Sequence, residues 1–214
     1  MNESDIRDLF AKCALSVAGE GMLVGDDAAY LETIAPVGIE GAALQKAMGS
    51  MWSCALTTMG IEREVQTTLG IPDDAISPLL ATRYAVGQAM SWNVEIATAH
   101  KAWRTPSASP DELPSKGDFV IVGPGGFHIL TIASDVTPAA FFDTVEGGQV
   151  NLKGGKAIAK LSRRLIRQGG RVFCGHDPSS STLVYGWISC VHLLDGVALP
   201  KAAGVSEETS VDEQ

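Results

Sequence analysis

The chain has 214 residues, of which 45% are apolar and 19% charged, and its formal net charge is −9. That length supports one domain with a sizeable core, and the composition is ordinary globular usage. No apolar run approaches the ~20 residues a membrane span needs. The acidic balance, relieved only by a small cluster of Arg163, Arg164, Arg167 and Arg171, argues against nucleic acid as a partner.

The opening Met1-Asn2-Glu3-Ser4-Asp5 has neither the basic start nor the apolar stretch of a secretory signal, so a cytoplasmic origin is expected, with export by a signal-independent route left open. Residues 4–18 predict an amphipathic helix: Ile6, Leu9, Phe10, Cys13 and Val17 recur at helical spacing, with Ser4 as N-cap. Residues 19–41 are rich in Gly, Asp and Pro and read as loop. The pairs Asp26-Asp27 and Asp73-Asp74 suit turns and caps better than metal ligation. Residues 41–60 have helical composition, with Gly60 as C-cap, and 61–76 read as a connection. A second long helix is expected from Pro78 to about Trp103, ending near His100, where a cation suits the helix dipole.

Residues 104–116 are polar and Pro-rich and mark the clearest change in composition. Strands follow. Asp118–Val122, the Gly123-Pro124-Gly125-Gly126 turn and Phe127–Ala133 predict a hairpin. A third strand is expected over Phe141–Val145, closed by Gly147-Gly148, and a fourth over Ala157–Ile166. The last is expected over Leu183–Leu194, with Tyr185 and Trp187 on one face and His192 within it as a structural residue. Helices followed by strands predict an α+β fold, with N-terminal helices packed on a small, mostly antiparallel sheet. A single domain is expected over 1–201: helical half 1–104, linker 105–116 and strand half 117–201. An acidic tail over 202–214 is expected to be disordered.

Four cysteines (Cys13, Cys54, Cys174 and Cys190) form no CxxC pair and no zinc-site spacing, so free thiols are expected, and no metal or cofactor. Cys13 lies on an apolar stripe and reads as a small buried hydrophobe. Cys174-Gly175-His176-Asp177 brings a thiol and an imidazole together, but within one turn, where they cannot easily form an oriented pair. Thiol redox chemistry through Cys174 or Cys190 lacks a nearby resolving partner.

Cys54 is different. It follows Ser50 and Ser53 at the start of an apolar helical stretch, where free N–H groups and the helix dipole favour a thiolate. A nucleophilic cysteine also needs a base, and His128 is the best candidate. It follows a glycine-rich turn and shares a strand face with Leu130 and Ile132. A third polar group should orient the imidazole. Asp143 and Glu146 fall on opposite faces of the next strand, so at most one faces His128. Glu146, just before two glycines, is preferred, with Asp143 and Gln149 as alternatives.

Trp52-Ser53-Cys54-Ala55-Leu56 is similar to the nucleophile helix of the CHAP and NlpC-type cysteine peptidases. Lys116-Gly117-Asp118-Phe119-Val120 resembles their Pro-Gly-Asp strand, with Lys in place of Pro, and His128-Ile129-Leu130 resembles their histidine strand. The resemblance covers roughly residues 45–150. It implies a papain-like fold, Cys54 as nucleophile, His128 as base and Glu146 as orienting group. It also implies cleavage of an amide bond in a peptide or peptidoglycan stem through a thioacyl-enzyme, with acyl transfer as the same chemistry to an amine. The alternative expectation is a catalytically silent structural or binding module of a phage or secretion particle. The oligomeric state is not readable from the sequence.

Overall fold

A computed structural model describes residues 1–18, 23–25, 53–71, 94–95, 97–108, 111–123, 128–150, 156–176 and 179–195. The expected linker falls mostly within these, whereas the tail over 202–214 and most of the loop over 19–41 lie outside them.

Helix α1 spans Glu3–Ala18 and buries Phe10, Cys13, Ala14 and Val17 on one stripe, as the periodicity predicts. Its cap is Asn2 rather than Ser4. The Asn2 Oδ1 accepts from the Asp5 N–H at 2.9 Å, and the Asp5 carboxylate accepts from the Asn2 N–H at 3.1 Å, a reciprocal capping box. Strand β1 (Leu23–Gly25) follows. Helix α2 spans Ser53–Leu69 and runs straight through Gly60, which is buried within it. The stop lies at Gly70, with φ of 64°. There the Ile71 N–H bonds the Gln66 carbonyl and the Gly70 N–H the Thr67 carbonyl, a Schellman closure. Residues 61–69, expected to connect, are therefore helix.

The second long helix lies largely outside the described residues. Its end is visible: 94–95 and 97–99 are helical, and Lys101 takes the left-handed conformation after them. Trp103–Arg104 is strand β2, not helix. Then come β3 (Phe119–Val122), β4 (His128–Ile132), β5 (Phe141–Val150), β6 (Lys156–Gln168), β7 (Arg171–Gly175) and β8 (Thr182–Ile188). The short helix α3 (Cys190–Leu193) replaces the second half of the expected last strand.

The expected fold, helices packed on a small open sheet in a papain-like α+β arrangement, is overturned. Strands β3 to β8 close into a six-stranded antiparallel barrel. The hairpin β3–β4 is as expected, with Val122 opposite His128. The closure comes from β7, whose residues are not expected as a strand from the sequence. Its residues pair with the end of β6 (Leu165 with Cys174) and the start of β8 (Phe173 with Leu183). Strands β1 and β2 extend the sheet beyond this ring, against β6 and β8.

Alternation along the strands makes two cores. Val120, Val122, Leu130, Ile132, Phe142, Leu165, Val172, Cys174, Val184 and Trp187 fill the barrel. Phe119, Ile121, Ile129, Val145, Ile158 and Ile188 point the other way and pack with α1 and α2. Phe10 meets Phe119 edge to face at 5.7 Å between ring centres. On β8, Val122 pairs with Val184 and Ile121 with Gly186, so Tyr185 is an extra, bulged residue. The bulge separates Tyr185, which is exposed against Trp103, from Trp187, which is buried in the barrel. The expected common face is thereby lost.

Candidate active site

Cys54 is the second residue of α2, so its backbone N–H is one of the first four in the helix, which have no intrahelical acceptor. Ser50 and the Ser53 side chain, the expected caps, lie outside the described residues. Helix α2 packs on α1, β4 and β5. Cys54 is 6% exposed, and its thiol shares a side-chain hydrogen bond with His128.

His128 is the first residue of β4. Leu130 and Ile132, on the same alternation, turn into the barrel rather than towards α2. His128 meets Cys54 because it lies at the strand's end, beyond the Thr131–Val145 and Ile132–Thr144 pairs that bind β4 to β5.

Glu146 completes the set. Its Oε2 lies 2.9 Å from His128 Nε2, which leaves Nδ1 as the nitrogen for the sulfur. Glu146 has no exposed surface, and its two oxygens are heavily engaged. Thr144 Oγ1 donates to Oε1 at 2.6 Å, Arg163 Nε to Oε1 at 2.8 Å, and Arg163 Nη2 to Oε2 at 2.7 Å. Thr144 and Glu146 share the alternation of Phe142, and Arg163 that of Leu165. A polar stretch thus takes the place of apolar side chains along the barrel's inner alternation. The predicted Gly147-Gly148 stop is instead a bulge, with two residues of β5 opposing Ile158 between the Glu146–Ala159 and Gln149–Ala157 pairs.

These contacts separate the charges. Burial presses the His128 pKa down, but hydrogen bonds and negative charge from Cys54 and Glu146 outweigh it and raise the pKa from 6.5 to about 9. Burial presses Glu146 up, but the bonds from His128, Arg163 and Thr144 and the Arg163 charge lower it from 4.5 to about 2. At neutral pH the pair is imidazolium and carboxylate.

Asp143 faces away and pairs with Lys160 at 2.9 Å. The Gln149 side chain lies outside the described residues. His176 is exposed beyond the end of β7, and Asp177 is not described. Cys174 lies inside the barrel, where burial pushes its thiol up to about 12. Burial also raises Cys13 and Cys190. His192 sits in α3 and pairs with Asp195 at 2.8 Å. His100 follows the helical residues 97–99, where expected.

Asp118 is structural. It is buried and accepts from Arg7 Nη1 at 2.9 Å, the Ser115 N–H at 2.9 Å and the Cys190 N–H at 3.1 Å, tying α1 and α3 to the start of β3. Arg163 and Thr144 were not foreseen as site residues. The available signal was an arginine within the alternating segment of β6, but only the β5–β6 register shows where it points.

No helix among the described residues is long and apolar enough to cross a membrane. No family model, curated protein or solved structure matches the chain.

Proposed function

We propose that the protein is a cysteine-dependent amide hydrolase in which Cys54 is the nucleophile, His128 the general base and acid, and Glu146 the group that orients the imidazole. The observation that carries this reading is the continuous contact from the Cys54 thiol to His128 and on to Glu146 at 2.9 Å. His128 already holds the thiol proton as an imidazolium beside Cys54, and the Cys54 thiolate attacks the substrate carbonyl carbon, forming a C–S bond. The oxygen that becomes negative is stabilised by the Cys54 N–H, an interaction worth ~3–4 kcal/mol in comparable sites. His128 then protonates the leaving amine as the C–N bond breaks. Water attacks the thioester, gives its proton to His128, and the thiolate departs. A peptide of the bacterial cell wall is the proposed substrate, on the likeness of the Cys54, Gly117-Asp118 and His128 segments to those of the CHAP and NlpC-type enzymes.

Iodoacetamide labelling across pH, with peptide mapping, tests the nucleophile. Cys54 is expected to react selectively well below pH 8 and to lose that selectivity in His128→Ala. Equal, slow labelling of all four thiols would sink the proposal. Digestion of purified peptidoglycan followed by mass spectrometry tests the substrate: release of stem fragments by the wild type and not by Cys54→Ala is expected, and no release removes peptidoglycan from the proposal.

A further inference from the structure

We infer that Arg163 is a positioning residue of the same site, locking the Glu146 carboxylate so that His128 is held in line with Cys54; this rests on the reading of Cys54 as nucleophile. A glutamate has a long side chain, and a single bond to His128 would leave it free to rotate. The Arg163 fork removes that freedom, because its Nε and Nη2 take one carboxylate oxygen each at 2.8 and 2.7 Å. Thr144 adds a third donor. Oε2 is then directed at His128 Nε2, and the imidazole presents its other nitrogen to the thiol.

The arrangement also addresses a charge problem. A carboxylate with no exposed surface is driven towards its neutral form. A protonated Glu146 would withdraw the negative charge that supports the imidazolium. Arg163, itself only 17% exposed in its side chain, supplies the compensating cation within the barrel. Neighbouring Arg164 alternates away and lies over the Phe141 ring at 5.4 Å. Position 163 therefore carries this role, and the local excess of arginines does not.

The test compares the wild type with Arg163→Met and Arg163→Lys. The rate of Cys54 alkylation is followed from pH 4 to 9, and the His128 Nε2–H proton is followed by NMR. In Arg163→Met, Glu146 gains a proton at higher pH, so the acid limb of the alkylation profile is expected to rise by at least one pH unit. The Nε2–H resonance, sharp in the wild type, is expected to broaden. Arg163→Lys keeps the charge but not the fork, so its acid limb is expected near that of the wild type while its plateau rate falls at least threefold. Superposable profiles and an unchanged Nε2–H signal would overturn the inference. If Arg163→Met does not fold, Arg163→Lys decides alone: an unaltered plateau rate and resonance overturn it. Unselective labelling of wild-type Cys54 would instead defeat the hydrolase reading, and the Nε2–H signal would still report whether Arg163 positions His128.

Discussion

Glu62 lies two turns along α2 from Cys54 and is 3% exposed, yet neither carboxyl oxygen has a hydrogen-bond partner. Gln66 Nε2, one turn further on, is also unpartnered. Burial holds the Glu62 pKa well above 4.5, so in the folded protein this side chain favours its neutral form. The unfolded chain ionises it near 4.5. Folding stability from this group is therefore full below that pH and declines as pH rises towards the folded value. Replacing Glu62 with Met removes both the unmet hydrogen bonds and the ionisation. At pH 7 urea denaturation should find Glu62→Met more stable than the wild type by roughly 1–3 kcal/mol, with a weaker loss of stability between pH 5 and 8. A variant less stable than the wild type would show that the carboxyl has a partner worth more than its desolvation. Glu146 is the opposite case, since equal burial with strong donors makes it a charged group. The sequence singles out Glu146 by its place before two glycines, but it does not show what separates the charge states of the two glutamates, which is whether an arginine on another strand points at them.

Elements were legible where their signals were local. The apolar stripe of α1 and the Gly-Pro-Gly-Gly hairpin between β3 and β4 were read from neighbouring residues. In the sequence Gly60 looks like a helix stop, whereas the conformation that ends α2 is met at Gly70. A local motif also acquired a different meaning at Gly117-Asp118. Gly117 has φ of 87°, and a Cβ there would lie 2.8 Å from Cys190 Sγ and 3.0 Å from the Arg7 carbonyl oxygen. The glycine allows α1, α3 and the start of β3 to converge on Asp118. Gly117→Ala must accept a left-handed backbone, at roughly 1–2 kcal/mol, and push against backbone that cannot yield without moving α1. A total loss of roughly 2–4 kcal/mol is expected in chemical denaturation. The folded variant should keep the wild-type pH profile of Cys54 alkylation, because the site lies at the other junction, between α2, β4 and β5. A stability unchanged within 0.5 kcal/mol, against the ordinary scatter of surface substitutions, would show that the junction is plastic.

At the scale of the whole molecule, the barrel explains both the misread fold and the site. Closure depends on β7, five residues whose inward Val172 and Cys174 gain meaning only once β6 and β8 are placed on either side. Chain order alone placed Cys54, His128 and Glu146 in sequence. The barrel's curvature and register brought Thr144 and Arg163 to the same carboxylate. Because that network spans β4, β5 and β6, its charges bear on the stability of the entire barrel, and the sign differs at the two ends of the pH scale. In the unfolded chain Glu146 titrates near 4.5 and in the fold near 2, so its contribution is complete above 4.5 and is lost as pH falls through about 2. His128 titrates near 6.5 unfolded and about 9 folded, so its contribution is complete below 6.5 and is lost as pH rises through about 9. The network should therefore stabilise the fold most between about pH 4.5 and 6.5. Glu146→Gln removes the carboxylate at the centre while keeping its shape, and leaves Arg163 and His128 facing a neutral amide. Its destabilisation, roughly 3–5 kcal/mol for breaking a buried charge pair from one side, should be largest in that window and shrink towards both extremes. Denaturation of both proteins at pH 3, 5.5 and 9.5 would measure it, and a difference independent of pH would mean that Glu146 acts through the hydrogen bonds it accepts rather than through its charge.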